Sequence, residues 1–195
     1  MKKAIIIHGY FTYENVMDPN KNTPSNHQWI PWLSKQIYIR DIFPIAIEMP
    51  RPWFPNYDDW KHELDRFELD ENTILIGHSY GGGFLVRYLS ENNVQLNKVI
   101  LVAPYMCIKP EESLDDKQQD PTFFDFKIDP NLAKKAGELI IFKSTNDNPD
   151  IDASIDFLQA SIVNTKLITL ENRGHFTTAT MGTTQFPELL AEILK

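Results

Sequence analysis

Thr73-Ile74-Leu75-Ile76-Gly77-His78-Ser79-Tyr80-Gly81-Gly82-Gly83 is the stretch whose reading decides the fold. It begins as a short apolar run with β-branched residues, bounded by polar sequence, as a fully buried strand does. It turns abruptly at Gly77-His78-Ser79-Tyr80-Gly81. Apolar residues then recur at Phe84, Leu85, Tyr88 and Leu89, one face of a helix. The order is strand, tight turn, helix, with Ser79 at the apex. A reversal over one residue brings together the positions two before and two after the apex. Gly77 and Gly81 have no side chains to collide there. The apex backbone is strained by roughly 1–3 kcal/mol. Its side chain projects clear of the sheet at a helix N-terminus, where N–H groups and the positive dipole end favour developing negative charge. A serine hydroxyl so placed is a candidate nucleophile, and the N–H of Tyr80 a candidate oxyanion donor. The bland alternative is a glycine-rich turn with an incidental serine, which the flanking strand and helix disfavour.

Outward from this centre, buried strands and helical faces alternate. Toward the N-terminus, Ala4–Ile7 reads as a strand ending in the turn His8-Gly9-Tyr10, and the polar residues 11–27 read as a long loop. Trp29, Trp32, Leu33 and Ile37 share a helical face, with Pro31 limiting where that helix starts. Phe43–Met49 reads as a strand and stops in the proline-rich 50–55. Tyr57, Trp60, Leu64 and Phe67 mark the next helix, with Asp58 as a candidate cap. Toward the C-terminus, Lys98–Ala103, Glu138–Lys143 and Lys166–Leu170 read as strands. Helices are expected over 130–136, on the face of Ile151, Ile155, Leu158 and Ile162, and from Pro187 with Leu189, Leu190, Ile193 and Leu194 buried. Residues 105–129 lack clear periodicity and leave room for only a modest cap. This pattern predicts an α/β fold: a sheet of about six mostly parallel strands covered by helices on both faces, in one domain over 1–195 without a large lid.

Composition narrows the function. A chain of 195 residues has length for a sizeable core. The net charge of −8, with no basic stripe, argues against nucleic acid and anionic membrane surfaces as partners. The apolar run after Met1-Lys2-Lys3 is too short for a signal peptide, and no run is long enough to cross a bilayer, so a cytoplasmic protein is expected. The single Cys107 cannot form an intrachain disulfide. It reads as a buried apolar thiol rather than a second nucleophile.

Functional residues of parallel sheets collect in loops at the C-terminal ends of strands. His8-Gly9, Ser79, Asp147 and His175 all fall in such loops. A serine nucleophile needs a base to take its proton and an acid to orient that base. In chain order Ser79 is followed by Asp147 and then His175, the order of α/β-hydrolases. Asp150 and Asp152 compete for the acid role. They flank the start of a helix and read as caps, so Asp147 is preferred.

Gly-His-Ser-Tyr-Gly-Gly, Ser-Thr-Asn-Asp and Gly-His-Phe, with the early His-Gly turn, Trp29–Leu33 and Met49-Pro50, resemble the small serine hydrolases of the retinoblastoma-binding protein 9 and YdeN type. The resemblance spans nearly the whole chain. It implies an α/β-hydrolase fold with Ser79 as nucleophile, Asp147 as orienting acid and His175 as general base. It further implies that the turn after the first strand supplies a second oxyanion donor, the N–H of Tyr10 or Phe11. The departures are the long 11–27 loop, extra residues around 177–185, Asn146 in place of the first acid of a frequent Asp-Asp pair, and Asn148 before the proline.

The remaining candidates have plainer readings. His78 is expected to point away from the nucleophile's side in a structural role, His8 to hydrogen-bond behind the site, and His27 and His62 to lie on the surface. Without H-x-H or H-E-x-x-H spacing, no metal site is expected. The acids at 111–116 read as solvated surface. Phe123, Phe124 and Phe126 read as core, with a pocket wall as the second option. The expected function is cofactor-free hydrolysis of a small ester, thioester or amide, with short acyl chains preferred. The rivals are a hydrolase-fold module that acts by binding a protein, and acyl transfer to an acceptor other than water through the same residues.

Overall fold

Runs of Ile, Leu and Val form six strands in the computed structural model, which describes residues 1–106, 120 and 122–195. The strands are β1 (Lys3–Ile7), β2 (Phe43–Ile47), β3 (Thr73–His78), β4 (Lys98–Val102), β5 (Leu139–Ser144) and β6 (Thr165–Leu170). They form one sheet in the order β2-β1-β3-β4-β5-β6, and every pairing is parallel. Burial explains their composition. The central strands β3 and β4 are buried throughout and carry continuous apolar runs, whereas edge strands β2 and β6 are largely half-exposed.

The winding decides where a site can form. The chain steps outward from β1 to β2, then crosses back over β1 to β3 and continues outward. The loops leaving β1 and β3 therefore diverge and leave a crevice at their C-terminal ends. The register sets Ile7 of β1 opposite Gly77 of β3, so the His8-Gly9-Tyr10 turn and the Ser79 turn emerge side by side.

The helices are α1 (Tyr13–Met17), α2 (Ile30–Tyr38), α3 (Tyr57–Asp65), α4 (Tyr80–Glu91), α5 (Leu132–Lys135), α6 (Pro149–Ser161), α7 (Thr178–Met181) and α8 (Pro187–Ile193). Right-handed crossovers place α2 on one face of the sheet and α3 to α6 on the other. Consistent with this, α2 meets α8, while α4 meets α3 and α5.

Several local expectations change. The 11–27 segment contains α1, capped by the Thr12 hydroxyl, and a 3-10 turn at Pro24–Asn26. Neither is long enough to show periodicity in sequence. Residues 177–185 contain α7, opened by reciprocal Thr177 and Thr180 hydrogen bonds. Asn56, not Asp58, caps α3, and Asn148, not Asp150 or Asp152, caps α6. Asn is as good a cap as Asp, and each stands at the last extended residue before its helix. Leu194 is exposed because α8 ends at Ile193. α4 is buried on nearly all sides of its first two turns, because Gly82 and Gly83 let it touch Pro104 and the Tyr105 carbonyl. Phe123 is core, packed edge-on against Tyr57 and Trp60. Cys107 and the acids at 111–116 lie outside the described residues, as does most of the cap segment expected in 105–129.

Candidate active site

The elbow is built as its glycines require. A Cβ on Gly77 would fall 2.5 Å from the Gly81 carbonyl oxygen, and one on Gly81 2.5 Å from those of Ile7 and His8. No side chain fits at either position. Ser79 takes φ 54°, ψ −119°, a conformation that an L-residue holds only when its surroundings enforce it. Four hydrogen bonds do so. The Ser79 N–H donates to the Val102 carbonyl (2.9 Å), and its carbonyl accepts from Gly82 (2.9 Å), Gly83 (3.2 Å) and Tyr105 (3.1 Å). Tyr80 is the first residue of α4, so its N–H lies in the helix-opening turn beside the serine.

His175 follows β6 and Asp147 follows β5, adjacent strands whose loops close on one another. His175 Nδ1 lies 3.1 Å from both carboxylate oxygens of Asp147. The Asp147 side chain is 1% exposed and that of His175 31%. The acid is thus shielded while the imidazole remains partly exposed. Asp150 and Asp152 are elsewhere: both lie in the first turn of α6, and Asp152 pairs with Lys143 at 3.0 Å.

Ser79 and His175 line one cavity of about 220 Å³, with Gly9, Tyr10, Phe11 and Gln28 on its other walls. A Cβ on Gly9 would sit 2.9 Å from the Ser79 Cβ, so glycine lets the loop after β1 pass directly over the serine. Phe11 donates its N–H to the Pro52 carbonyl (3.2 Å).

The chain matches the serine hydrolase family across residues 6–194. It belongs to that family. The YdeN protein of Bacillus subtilis (strain 168) is 27% identical over 179 residues, covering 90% of this chain and 86% of that protein. The crystal structure of the B. subtilis ydeN gene product superposes with a TM-score of 0.79 at 24% identity, covering 100% of this chain and 97% of that one. More distant folds of the same kind include Est1E of Butyrivibrio proteoclasticus with bound ferulic acid (TM-score 0.64, 14% identity, 100% and 88% covered). A methylesterase from Arabidopsis is another (TM-score 0.60, 16% identity, 100% and 98% covered). The sheet is that of an α/β-hydrolase, and the protein is a hydrolase.

Within this serine hydrolase, a layer of polar groups behind the site holds the loops in place. His8 Nε2 accepts the Met49 N–H (3.0 Å), so its proton resides on Nδ1, which donates to the Gly9 carbonyl (2.8 Å). Burial holds His8 below its ordinary pKa, as this neutral role requires. His78 does not point away from the nucleophile's side. It lines the same cavity, and its Nε2–H donates to the His175 carbonyl at 2.9 Å. Burial, reinforced by the neighbouring His175, pushes the His78 pKa down to about 3. His27 is half-buried against Phe11, with ring centroids 5.4 Å apart, rather than a surface residue. His62 is exposed. Among the described residues no group of three or more His, Cys, Asp or Glu side chains converges as metal ligands. No helix among them is long and apolar enough to cross a membrane.

Two residues named in the sequence motifs take supporting roles that the motifs themselves do not reveal. Asn146 Oδ1 accepts the Gly174 N–H (2.8 Å) and the Ser144 hydroxyl (2.8 Å), clamping the acid loop to the histidine loop. Phe176 has φ 53°, unfavourable for a bulky residue. It is fully buried and stacks on Phe186 with centroids 5.2 Å apart. That burial offsets the backbone strain and anchors the residue next to His175.

Proposed function

We propose that this hydrolase cleaves a small ester, thioester or amide through an acyl-enzyme on Ser79, with His175 as general base and Asp147 as orienting acid. The observation that carries the reading is the 220 Å³ cavity shared by Ser79 and His175, with Asp147 shielded against Nδ1 of that histidine. Ser79 Oγ attacks the substrate carbonyl as its proton passes to His175 Nε2. Asp147 keeps the proton on Nδ1 and stabilises the imidazolium that forms. The tetrahedral oxyanion is received by the backbone N–H of Tyr80 and by a second from the turn after β1, that of Tyr10 or Phe11. His175 then protonates the leaving group, and water drawn in by the same base releases the acid. The chemistry uses no cofactor. The substrate is small, because the cavity is below the roughly 300–1,000 Å³ of sites for drug-sized ligands.

A fluorophosphonate probe tests the nucleophile. Labelling of the wild type and loss of labelling in Ser79→Ala are expected; a folded wild type that does not label would favour the protein-binding reading. A 4-nitrophenyl ester series tests the size. Acetyl to butyryl esters are expected to be turned over best, and kcat/KM rising steadily through long chains would overturn the short-acyl assignment.

A further inference from the structure

The 11–28 segment builds a second cavity beside the first. It measures about 280 Å³ and is lined by Phe11, Asn15, Lys21, Asn22, His27 and Gln28. Phe11, Asn15 and Gln28 also line the Ser79 cavity, so the two spaces are neighbours on either side of these three residues. The first holds the reacting serine. The second has a different lining: one ammonium group, three amides and an imidazole around a single aromatic face.

Its amides are already polarised by their internal bonds. Asn15 uses its oxygen to accept from Lys21 Nζ, and Gln28 uses its oxygen to accept from the Thr178 N–H. Each therefore keeps its NH₂ donors for something else. Nδ1 of His27 is shielded from water and makes no hydrogen bond. Lys21 has only a loose counter-charge. Its ammonium lies 3.9 Å from Asp18 Oδ2, while the other Asp18 oxygen is held by the Asn20 backbone N–H (3.0 Å) and side-chain amide (3.2 Å). A pocket rich in donors, with one cation, recognises a compact group of acceptors bearing one negative charge.

We propose that this second cavity is a subsite for a carboxylate at the far end of the substrate, so that the enzyme acts on esters or amides carrying a remote carboxylate. A carboxylate fits better than a phosphate dianion because the pocket supplies one ammonium. Lys21 provides the charge, the Asn15 and Gln28 amides provide directed donors, and Phe11 separates the subsite from the reacting carbonyl. The inference rests on the serine hydrolase reading of Ser79 given above.

The test compares two matched ester pairs, one with the charge on each side of the scissile bond. The first is the mono-4-nitrophenyl ester of adipic acid against its terminal methyl ester. The second is 4-carboxyphenyl butyrate against 4-carbamoylphenyl butyrate. In at least one pair the acid should be preferred in kcat/KM by about fivefold, the size expected of a partly exposed charge pair. Lys21→Met should bring that ratio to about one, and Lys21→Glu should invert it. Asp18→Asn should raise it, a gain that misfolding cannot mimic. Fluorophosphonate labelling of Ser79 is run alongside. If Ser79 labels and the neutral esters turn over, but the acids are not preferred or the preference survives Lys21→Met, the subsite is wrong and the hydrolase reading stands. If the folded protein neither labels nor turns over any ester, the reading of Ser79 fails and the subsite falls with it.

Discussion

Replacing Asn146 by alanine removes a side-chain oxygen that joins the acid loop to the histidine loop. That oxygen accepts from the Gly174 N–H and the Ser144 hydroxyl, both at 2.8 Å. Other ties between the two loops survive the change. The Arg173 N–H donates to Ser144 Oγ (2.9 Å), and the Asn172 N–H donates to Thr145 Oγ1 (3.1 Å). Two neutral hydrogen bonds are together worth about 2 kcal/mol, and less where water can replace the lost acceptor. Asn146 is exposed, so a loss of about 1 kcal/mol is expected, or roughly 2–4 °C in Tm for a chain of this size. The effect on rate should be larger. Gly174 immediately precedes His175, and its release lets the imidazole drift from Ser79. A displacement of about 1 Å in a catalytic group costs on the order of 100-fold. The expected outcome is a fall in kcat of roughly 10- to 100-fold with a small change in Tm. Asn146→Asp keeps the acceptor oxygen and should restore most of the rate. The assay is hydrolysis of 4-nitrophenyl butyrate beside thermal unfolding of each variant. Turnover in Asn146→Ala within twofold of wild type would refute the clamp, and so would a rate loss that Asn146→Asp fails to recover.

Asp147→Asn should lower kcat by about 10⁴-fold with little change in circular dichroism, because the imidazole loses both its orienting acceptor and its counter-charge. Asp150→Asn and Asp152→Asn should cost about 1 kcal/mol or less, as first-turn acids of α6 whose cap is Asn148. Near-normal turnover in Asp147→Asn, with collapse in either neighbour, reverses that assignment. A further prediction concerns acid stability. Below pH 6.5 the unfolded chain protonates His78, whereas the folded protein resists doing so until about pH 3. The unfolded state thus binds more protons in that window. Stability contributed by neutral His78 is complete above pH 6.5 and falls with pH by up to about 1.4 kcal/mol per unit. In urea unfolding, wild type should lose about 2 kcal/mol more than His78→Asn between pH 7 and pH 5. Parallel losses in the two proteins would show that His78 is not the group being titrated.

The sheet and the elbow were legible because their causes are local. The central strands β3 and β4 are apolar runs bounded by polar or turn residues, and burial on both faces requires such a run wherever it ends up. Gly77 and Gly81 announce a tight reversal because no other residue could occupy those positions. The order Ser79, Asp147, His175 points to serine-hydrolase chemistry, with acyl transfer by the same residues as a rival, and the family comparison agrees on a hydrolase.

Groups brought together from distant strands could not be read that way. Asn146 looked like a departure from a family pattern. It is the acceptor for an N–H 28 residues away, a partner visible only once β5 and β6 lie side by side. The expectation for His78 fails because its position on β3 does not reveal that the loop after β6 folds back to offer it a carbonyl. The same holds for the 11–28 segment. Its polar composition reads as a loop, yet it contains a short capped helix and a 3-10 turn and lines the serine's cavity, and the Thr178 N–H donates to the Gln28 side chain 150 residues earlier in the chain. Periodicity and turn chemistry act over a few residues and survive in the one-dimensional string. The walls of a cavity, the partner of a buried imidazole and the separation of two charges are properties of tertiary packing, and they exist only after the strands have found their neighbours.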